Sequence, residues 1–441
     1  MRKPNPNPTR LLVFELISQV NRDGAFANIR LPELLKKSKL SANDRNLATE
    51  MSYGTLRMQG LMDYLAGKFT DRPFNELDPK IQDLLRMGIY QLNQMRIPDH
   101  AAVSETVEVA RQVAGDSKAS YINAILRKVS SNTFDFTELD NLPVSEKLSI
   151  KHSHPIWIVN AFFDQLKDWD LVEQLLIADN KSTRPDIVCW PDKSNEEEFN
   201  RLGAHKIENL VHGYNIDGIP SDFAPIVERR SGVQDRGSQI VVEDFISTWK
   251  PGLRWLDMCA GPGGKAAYLF HYLNSIEENP SFLANEPVPH RADLVKRVIG
   301  NDVVVSIDGR DSSLFKDTFD RILVDAPCTG LGALRRRPEA RWRKKFTDLK
   351  DLVSIQHDLL ESAYKLLNPE GVIAYVTCSP HISETKAQVA NFLADHSDMK
   401  ILDIASLPKA NKSGLNSDGT VQLWTHKDQS DCMFIAFLKK E

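Results

Sequence analysis

Between residues 9 and 130 the apolar positions recur every three or four residues and never alternate, so this part of the chain is predicted to be helical throughout. Leu11, Leu12, Phe14, Leu16 and Ile17 make the first apolar face, which Asp23-Gly24 ends. Ser41-Ala42-Asn43-Asp44 reads as an N-cap for a helix over 45–65, where Leu47, Met51, Tyr53, Leu56 and Leu61 share one side. Amphipathic helices follow over 79–95 and, behind Pro98, over 101–113; a last one covers 121–129. The expectation is an all-α bundle spanning residues 1–135.

The pattern then changes twice. Residues 136–232 read as a connector: helices to about residue 176, followed by a small α/β segment with a strand over 186–190, a helix over 195–203 and short strands towards 227. Residues 231–239 form a polar turn into a helix over 240–249. Beyond Pro251-Gly252 short apolar runs alternate with amphipathic segments. Strands are predicted at 253–259, 282–286, 303–308, 321–325 and 372–378, and helices at 264–275, 290–299 and 347–367, the last stopped by Asn368-Pro369-Glu370-Gly371. Alternation of this kind implies a parallel sheet with helices on both faces, a Rossmann-like α/β domain over 233–441. Two late strands, 421–425 and 433–438, add an antiparallel pair behind the polar loop 411–419.

Composition changes this picture little. The 441 residues are 41% hydrophobic and 26% charged, as in soluble globular proteins. There is no apolar run of 18 residues, so no membrane span is expected. The basic start MRKPNPNPTR lacks the apolar core of a signal peptide, so a cytoplasmic protein with no membrane partner is expected. The net charge of −5 divides into +5 over residues 1–130 and −10 over the remainder, which makes the helical part compatible with nucleic acid. The cysteines (189, 259, 328, 378 and 432) include no CxxC pair, so neither a disulfide framework nor a metal site is expected. Cys189, inside a strand, reads as a core thiol.

The chemistry gathers at the predicted strand ends. Leu256-Asp-Met-Cys259-Ala260-Gly261-Pro262-Gly263-Gly264-Lys265 follows the first strand of the alternating region and opens a helix. Such a turn lets a ligand approach backbone N–H groups closely. The spacing fits neither GxxxxGK[ST] nor GxGxxG. Acids close the next strands: Glu286, Asp308 and Asp325. An acid after the second strand can bind a ribose diol. One after the third can accept from an adenine amino group, and one after the fourth can face a sulfonium. That set describes S-adenosylmethionine, with a nicotinamide cofactor as the rival left open by spacing alone. Cys328 lies three residues beyond the fourth strand and Cys378 ends the fifth, so neighbouring strand ends are expected to bring two thiols to one substrate.

Two resemblances narrow the reading. LLVFELISQV, DRNLATEMSYGTLR, PKIQDLLRMGIYQLNQM, VSETVEVAR and ASYINAILRKV, in that order, resemble the NusB family of RNA-binding helical domains. CAGPGGK, VDAPCTGLG and YVTCS resemble the RNA cytosine-C5 methyltransferases of the NOL1/NOP2/Sun family, over roughly residues 150–441, and with a NusB-like part in front the chain is similar to its RsmB (Sun/Fmu) group. The resemblance implies an enzyme acting on 16S ribosomal RNA, and a monomer is expected. It implies that Cys259 to Lys265 with Glu286, Asp308 and Asp325 hold S-adenosylmethionine. Composition cannot order the two thiols, and DNA cytosine methyltransferases would make the Pro-Cys thiol, Cys328, the nucleophile. The RNA family implies that Cys378 attacks C6 of cytosine, that Cys328 assists elimination, and that Asp325 also contacts the base. Gly261 and Glu286 depart from the family pattern, where alanine and aspartate are common. Cys259 reads as a packing residue of the loop and Cys432 as core.

Arg335-Arg336-Arg337-Pro-Glu-Ala-Arg341-Trp342-Arg343-Lys-Lys345 places seven cations in eleven residues around a tryptophan, directly after Cys328. Arg335, Arg336, Arg337, Arg341, Trp342 and Arg343 are therefore expected to contact RNA by phosphate pairing and base stacking, the alternative being a solvated basic helix start.

Overall fold

The computed structural model describes residues 4–407 and 410–441. The chain forms two compact units. Unit 1 comprises residues 1–180 and 334–344, and unit 2 comprises 181–333 and 345–441.

Unit 1 is helical: α1 Pro8–Arg22, α2 Ala27–Lys37, α3 Ala42–Arg57, α4 Gln59–Gly67, α5 Pro79–Gln94, α6 Asp99–Ala114, α7 Asp116–Ser131, α8 Val144–His152, α9 Ile156–Leu166 and α10 Trp169–Asp179. The caps follow the sequence. Asn7 Oδ1 accepts from the N–H groups of Thr9 (3.0 Å) and Arg10 (3.2 Å), and Ser41 Oγ accepts from Asp44 N–H at 3.2 Å. The core runs through α1 to α7, with Val13, Leu16, Leu84, Leu85 and Ile122 fully buried. The helix expected over 45–65 is broken at Met58. Ser153 Oγ accepts from the N–H groups of Gly60 and Leu61, at 2.8 and 3.4 Å, so α4 has a cap of its own supplied by a distant residue. Helices α8 to α10, expected in a connector with the small α/β segment, are part of unit 1.

Unit 2 contains two sheets. The smaller is antiparallel, built from β1 Asp186–Cys189, β2 His205–Lys206, β3 Gly213–Asn215 and β4 Ser231–Val233 in the order β2-β3-β1-β4. Strand β4 replaces part of the expected polar turn, because Ser231 and Val233 pair with Cys189 and Ile187. The following helix starts earlier than expected, at Arg236, where Asp235 caps Gly237 N–H at 2.9 Å.

The larger sheet holds β5 Arg254–Asp257, β6 Ser281–Asn285, β7 Val304–Val305, β8 Phe319–Asp325, β9 Leu367–Thr377, β10 Met399–Ile401, β11 Val421–Gln422 and β12 Phe434–Lys440. Its order is β10-β12-β9-β8-β5-β6-β7, with β11 on β12. Strands β5 to β9 are parallel, and β12 enters antiparallel beside β9. Ile322, Leu323 and Val324 of β8 are fully buried, as a strand covered on both faces requires. Asn368 to Gly371 do stop the preceding helix, at Leu366, and then form a bulge inside β9: Phe319 pairs with Leu367 and Arg321 with Val372. Strand β10 escaped the sequence reading because three residues carry too little periodicity. Among the described residues no helix is long and apolar enough to cross a membrane.

Candidate active site

The order of the large sheet reverses at β5: β6 and β7 lie on one side, β8 and β9 on the other. Open α/β sheets bind ligands at such a switch point, outside the carboxyl ends of the strands. Every candidate cofactor and thiol residue sits on that edge.

The turn after β5 is pinned on both flanks. Met258 N–H donates to Leu323 O at 2.9 Å and Ala260 N–H to Asn285 O at 2.8 Å, and Asn285 Nδ2 donates to Met258 O at 3.1 Å. The helix Gly264–Ile276 then starts, with its first N–H groups at the edge. Lys265 Nζ forms an ion pair with Asp325 Oδ2 at 2.9 Å. Burial would lower the Lys265 ammonium, but Asp325 outweighs it and its pKa is raised. Asp257 is fully buried, and that burial, reinforced by Asp325 and Glu286, pushes its carboxyl up to about 8. Burial likewise pushes the Cys259 thiol far above its ordinary range, which suits a packing residue.

Glu286 is nearly enclosed. Its Oε1 accepts Val288 N–H at 3.0 Å and its Oε2 lies 3.4 Å from the Arg291 guanidinium. A Cβ at position 261 would stand 2.0 Å from that Oε2. The two departures from the family pattern are thus one: the longer acid fills the space that a methyl group at 261 would take. Asp308 is open, and its bonds with Arg310, down to 2.7 Å, lower its pKa.

The thiols lie on adjacent strands. Asp325 pairs with Val376, so Cys328 and Cys378 leave the sheet side by side. The N–H groups of Gly330 and Cys378 donate towards the Cys328 thiol. Burial, helped by Glu384, pushes that thiol up to about 12. Cys378 Sγ lies 4.0 Å from the buried carboxylate of Asp431. The segments of Cys328, Cys378 and Cys432 converge at Gly332, whose N–H donates to Cys378 O at 3.0 Å and whose O accepts Cys432 N–H at 2.9 Å. A Cβ there would stand 2.0 Å from Cys432 O, so only glycine fits. Asp431 and Glu384 escaped the sequence reading, because an acid in a polar turn shows nothing of its burial.

The basic segment departs most from expectation. Arg341 is 0% exposed inside unit 1. Its guanidinium donates to Asn180 Oδ1 (2.9 Å) and to the carbonyls of Ser153 (3.1 Å), Arg57 (3.3 Å), Asp179 (3.4 Å) and Leu334 (3.5 Å). Trp342 Nε1 donates to Leu56 O at 3.3 Å, and Arg343 Nη2 donates to the carbonyls of Val20, at 2.7 Å, and Ala25. Arg335 is buried, Arg336 half-buried and Arg337 exposed. Arg341 and Arg335 therefore face protein and not RNA, and Trp342 Nε1 and Arg343 Nη2 are taken up by main-chain carbonyls. A helix C-terminus offers unpaired carbonyls, which a guanidinium fork satisfies well. Arg336 and Arg337 keep surface for a phosphate.

Comparison with known proteins agrees with both units. The NusB family matches residues 7–131, and the family described as 16S rRNA methyltransferase RsmB/F matches residues 248–439. A putative methyltransferase of Mycobacterium tuberculosis is 38% identical over 98% of this chain and 97% of its own length. The chain belongs to the RsmB/F family. The probable ribosomal RNA small subunit methyltransferase B of Bacillus subtilis is 27% identical and covers 98% of both chains. The crystal structure of PH0851 superposes with a TM-score of 0.83 at 22% identity, over 99% of this chain and 100% of that one, and shows the same fold. As an RsmB/F protein the chain is an S-adenosylmethionine-dependent RNA methyltransferase. Its strand-end edge fits that cofactor, since the loop offers backbone donors and the carboxylates offer acceptors and negative charge for a sulfonium.

Proposed function

We propose that this enzyme methylates C5 of a cytosine in 16S ribosomal RNA through a covalent bond between Cys378 and C6. The target carried by the RsmB resemblance is cytosine 967. The observation that supports the reading best is the pair of thiols on adjacent strand ends, one beside a buried carboxylate and the other held as a thiol.

S-adenosylmethionine, when bound, supplies an electrophilic methyl group at this edge. Cytosine C5 is a poor nucleophile until a thiolate adds to C6 and the ring electrons shift to C5. Cys378 is the attacking group in this reading, and Asp431, 4.0 Å away, accepts its proton. The C5 proton then passes to a water molecule at the open edge, the C6–S bond breaks with its electron pair returning to the Cys378 sulfur, and the ring double bond reforms. Cys328, hydrogen-bonded by the Cys378 N–H, stands where it can assist that elimination. Asp325 holds the base edge, and its pairing with Lys265 keeps it from repelling the RNA. The loop from Cys259 to Lys265, with Glu286 on the ribose, Asp308 on the adenine and Asp325 on the sulfonium side, holds the cofactor. Unit 1, the half-buried Arg336 and the exposed Arg337 carry phosphate contacts. The reading is of a cytoplasmic monomer.

Bisulfite mapping of ribosomal and transfer RNA, from cells with and without the protein, tests this. A protected cytosine in 16S RNA that loses protection in the deletion is expected. Loss confined to transfer RNA or to another ribosomal site reassigns the substrate, and no loss anywhere overturns the cytosine-C5 reading.

The cofactor assignment makes its own prediction. In Gly261→Ala the new methyl group displaces the Glu286 carboxylate, and affinity for S-adenosylmethionine, read by calorimetry, falls about tenfold, the value of one charge-assisted hydrogen bond. Glu286→Asp in the same chain shortens the acid and restores binding. Equal affinity of Gly261→Ala and wild type removes Glu286 from the site.

A further inference from the structure

Beyond Cys378 the chain turns through a short 3-10 helix, Ile382–Glu384, and buries the Glu384 side chain completely. Its Oε1 accepts Thr329 N–H at 2.8 Å and Gln356 Nε2 at 3.1 Å. Its Oε2 lies 2.5 Å from Thr329 Oγ1 and 2.6 Å from Ser379 Oγ. Thr329 follows Cys328 and Ser379 follows Cys378, and the two hydroxyls are 3.0 Å apart. Gln356 Nε2 also donates to Pro327 O at 2.9 Å, on the other side of Cys328. Tyr375 Oη donates to Glu384 O at 2.8 Å, which fixes the turn to β9.

A fully buried carboxylate is destabilising unless donors saturate it. Here the donors come from both thiol-bearing loops, so the charge is stable only while both loops hold their places. A thiol pair acting in sequence on one base needs such a constraint, since a misplacement of about 1 Å can cost a hundredfold in rate. We propose that Glu384 is a positioning residue that fixes the Cys328 loop against the Cys378 loop, so that Cys328 can act on the adduct that Cys378 holds.

The inference rests on the two-thiol reading above. The groups facing Cys328 agree with it: Glu384 and Asp325 raise the thiol beyond the effect of burial, the N–H groups of Gly330 and Cys378 oppose them, and the Tyr375 phenol stays neutral, its pKa pushed up by burial and by Cys328 itself.

The test uses the full chain, methyl-labelled S-adenosylmethionine and transcribed 16S RNA. Glu384→Gln keeps the volume but replaces one acceptor by a donor. Turnover is expected to fall about tenfold or more, as a loop shift below 1 Å would cause. The KM for S-adenosylmethionine should stay within about twofold, as for a change that spares cofactor binding. The fraction of protein covalently attached to RNA on denaturing gels should rise. In a Cys378→Ala background, Glu384→Gln should move the alkylation profile of Cys328 to lower pH. Thr329→Val, which keeps the charge and removes one tie, should shift turnover and adduct the same way by a smaller factor, and it guards against misfolding of the first variant. Wild-type turnover in Glu384→Gln, or reduced turnover with neither adduct nor alkylation profile changed, overturns the proposal and leaves Glu384 a fold-stabilising residue. If Cys328→Ala with Glu384 intact shows no adduct, the two-thiol reading itself fails and takes the proposal with it; an adduct there with an unaffected Glu384→Gln overturns the proposal alone.

Discussion

Cys378→Ala is expected to abolish methyl transfer and to leave no covalent RNA adduct, whereas Cys328→Ala is expected to form the adduct and fail to release it. The two substitutions remove the same atoms from neighbouring strand ends, so the contrast comes from the environment. Cys378 Sγ lies near an acceptor, the Asp431 carboxylate, and near the ammonium of Lys265. Cys328, half-buried as Cys378 is, faces Glu384 and Asp325, and burial with these acids pushes its pKa up to about 12, so it keeps its proton at neutral pH. A thiolate adds to C6 readily and a thiol does not, so an acceptor for its proton favours Cys378 over Cys328 as the attacking group in the reading proposed above. Loss of the attacking thiol should cost at least about three orders of magnitude in rate, as for other removed nucleophiles. Denaturing gels with labelled RNA separate the cases. An adduct in Cys378→Ala and none in Cys328→Ala would reverse the roles.

Arg341→Ala should be the most damaging substitution away from the thiols. It deletes a guanidinium that donates to four carbonyls and to Asn180 Oδ1, all inside unit 1. Each buried acceptor left without a donor costs about 1–3 kcal/mol, and even after relaxation a net loss of about 3–5 kcal/mol is expected. Arg341→Lys should recover little, since one ammonium cannot span acceptors on several sides. The exposed Arg337→Ala should stay within about 0.5 kcal/mol of wild type. Thermal unfolding of the three variants decides between this clasp and a surface role. A wild-type melting temperature for Arg341→Ala together with weakened RNA binding would return the residue to the RNA surface.

Much of the fold was legible because its periods are long and clean. The helices α5, α6 and α7 carry unbroken amphipathic patterns, and β8 is a continuous apolar run with an acid at its end. The short elements were not legible: β4 and β10 have three residues each, too few to show alternation, and Met58 breaks a helix through a cap from Ser153, ninety-five residues away. The site followed the same rule. Residues in compact motifs, Cys259 to Lys265 and Asp325 to Cys328, announced themselves at strand ends. Glu384 and Asp431 did not, because nothing in SPHISETK or KDQSDCM distinguishes a buried acid from a solvated one. The cluster of arginines misled for a related reason. Charge density in sequence looks the same whether the cations meet phosphates or the carbonyls at helix ends.

Unit 1 is closed by residues 334–344, which follow the whole of β5 to β8 in the chain. On the ribosome the ten helices therefore emerge without Arg341, and their carbonyls wait for it. At about 5–20 residues per second, the 164 residues between Asn180 and Lys344 take on the order of ten to thirty seconds to make. The N-terminal part of this protein completes its packing only after synthesis has passed Cys328, so truncated products without the thiol loop also lack the residue that would stabilise unit 1.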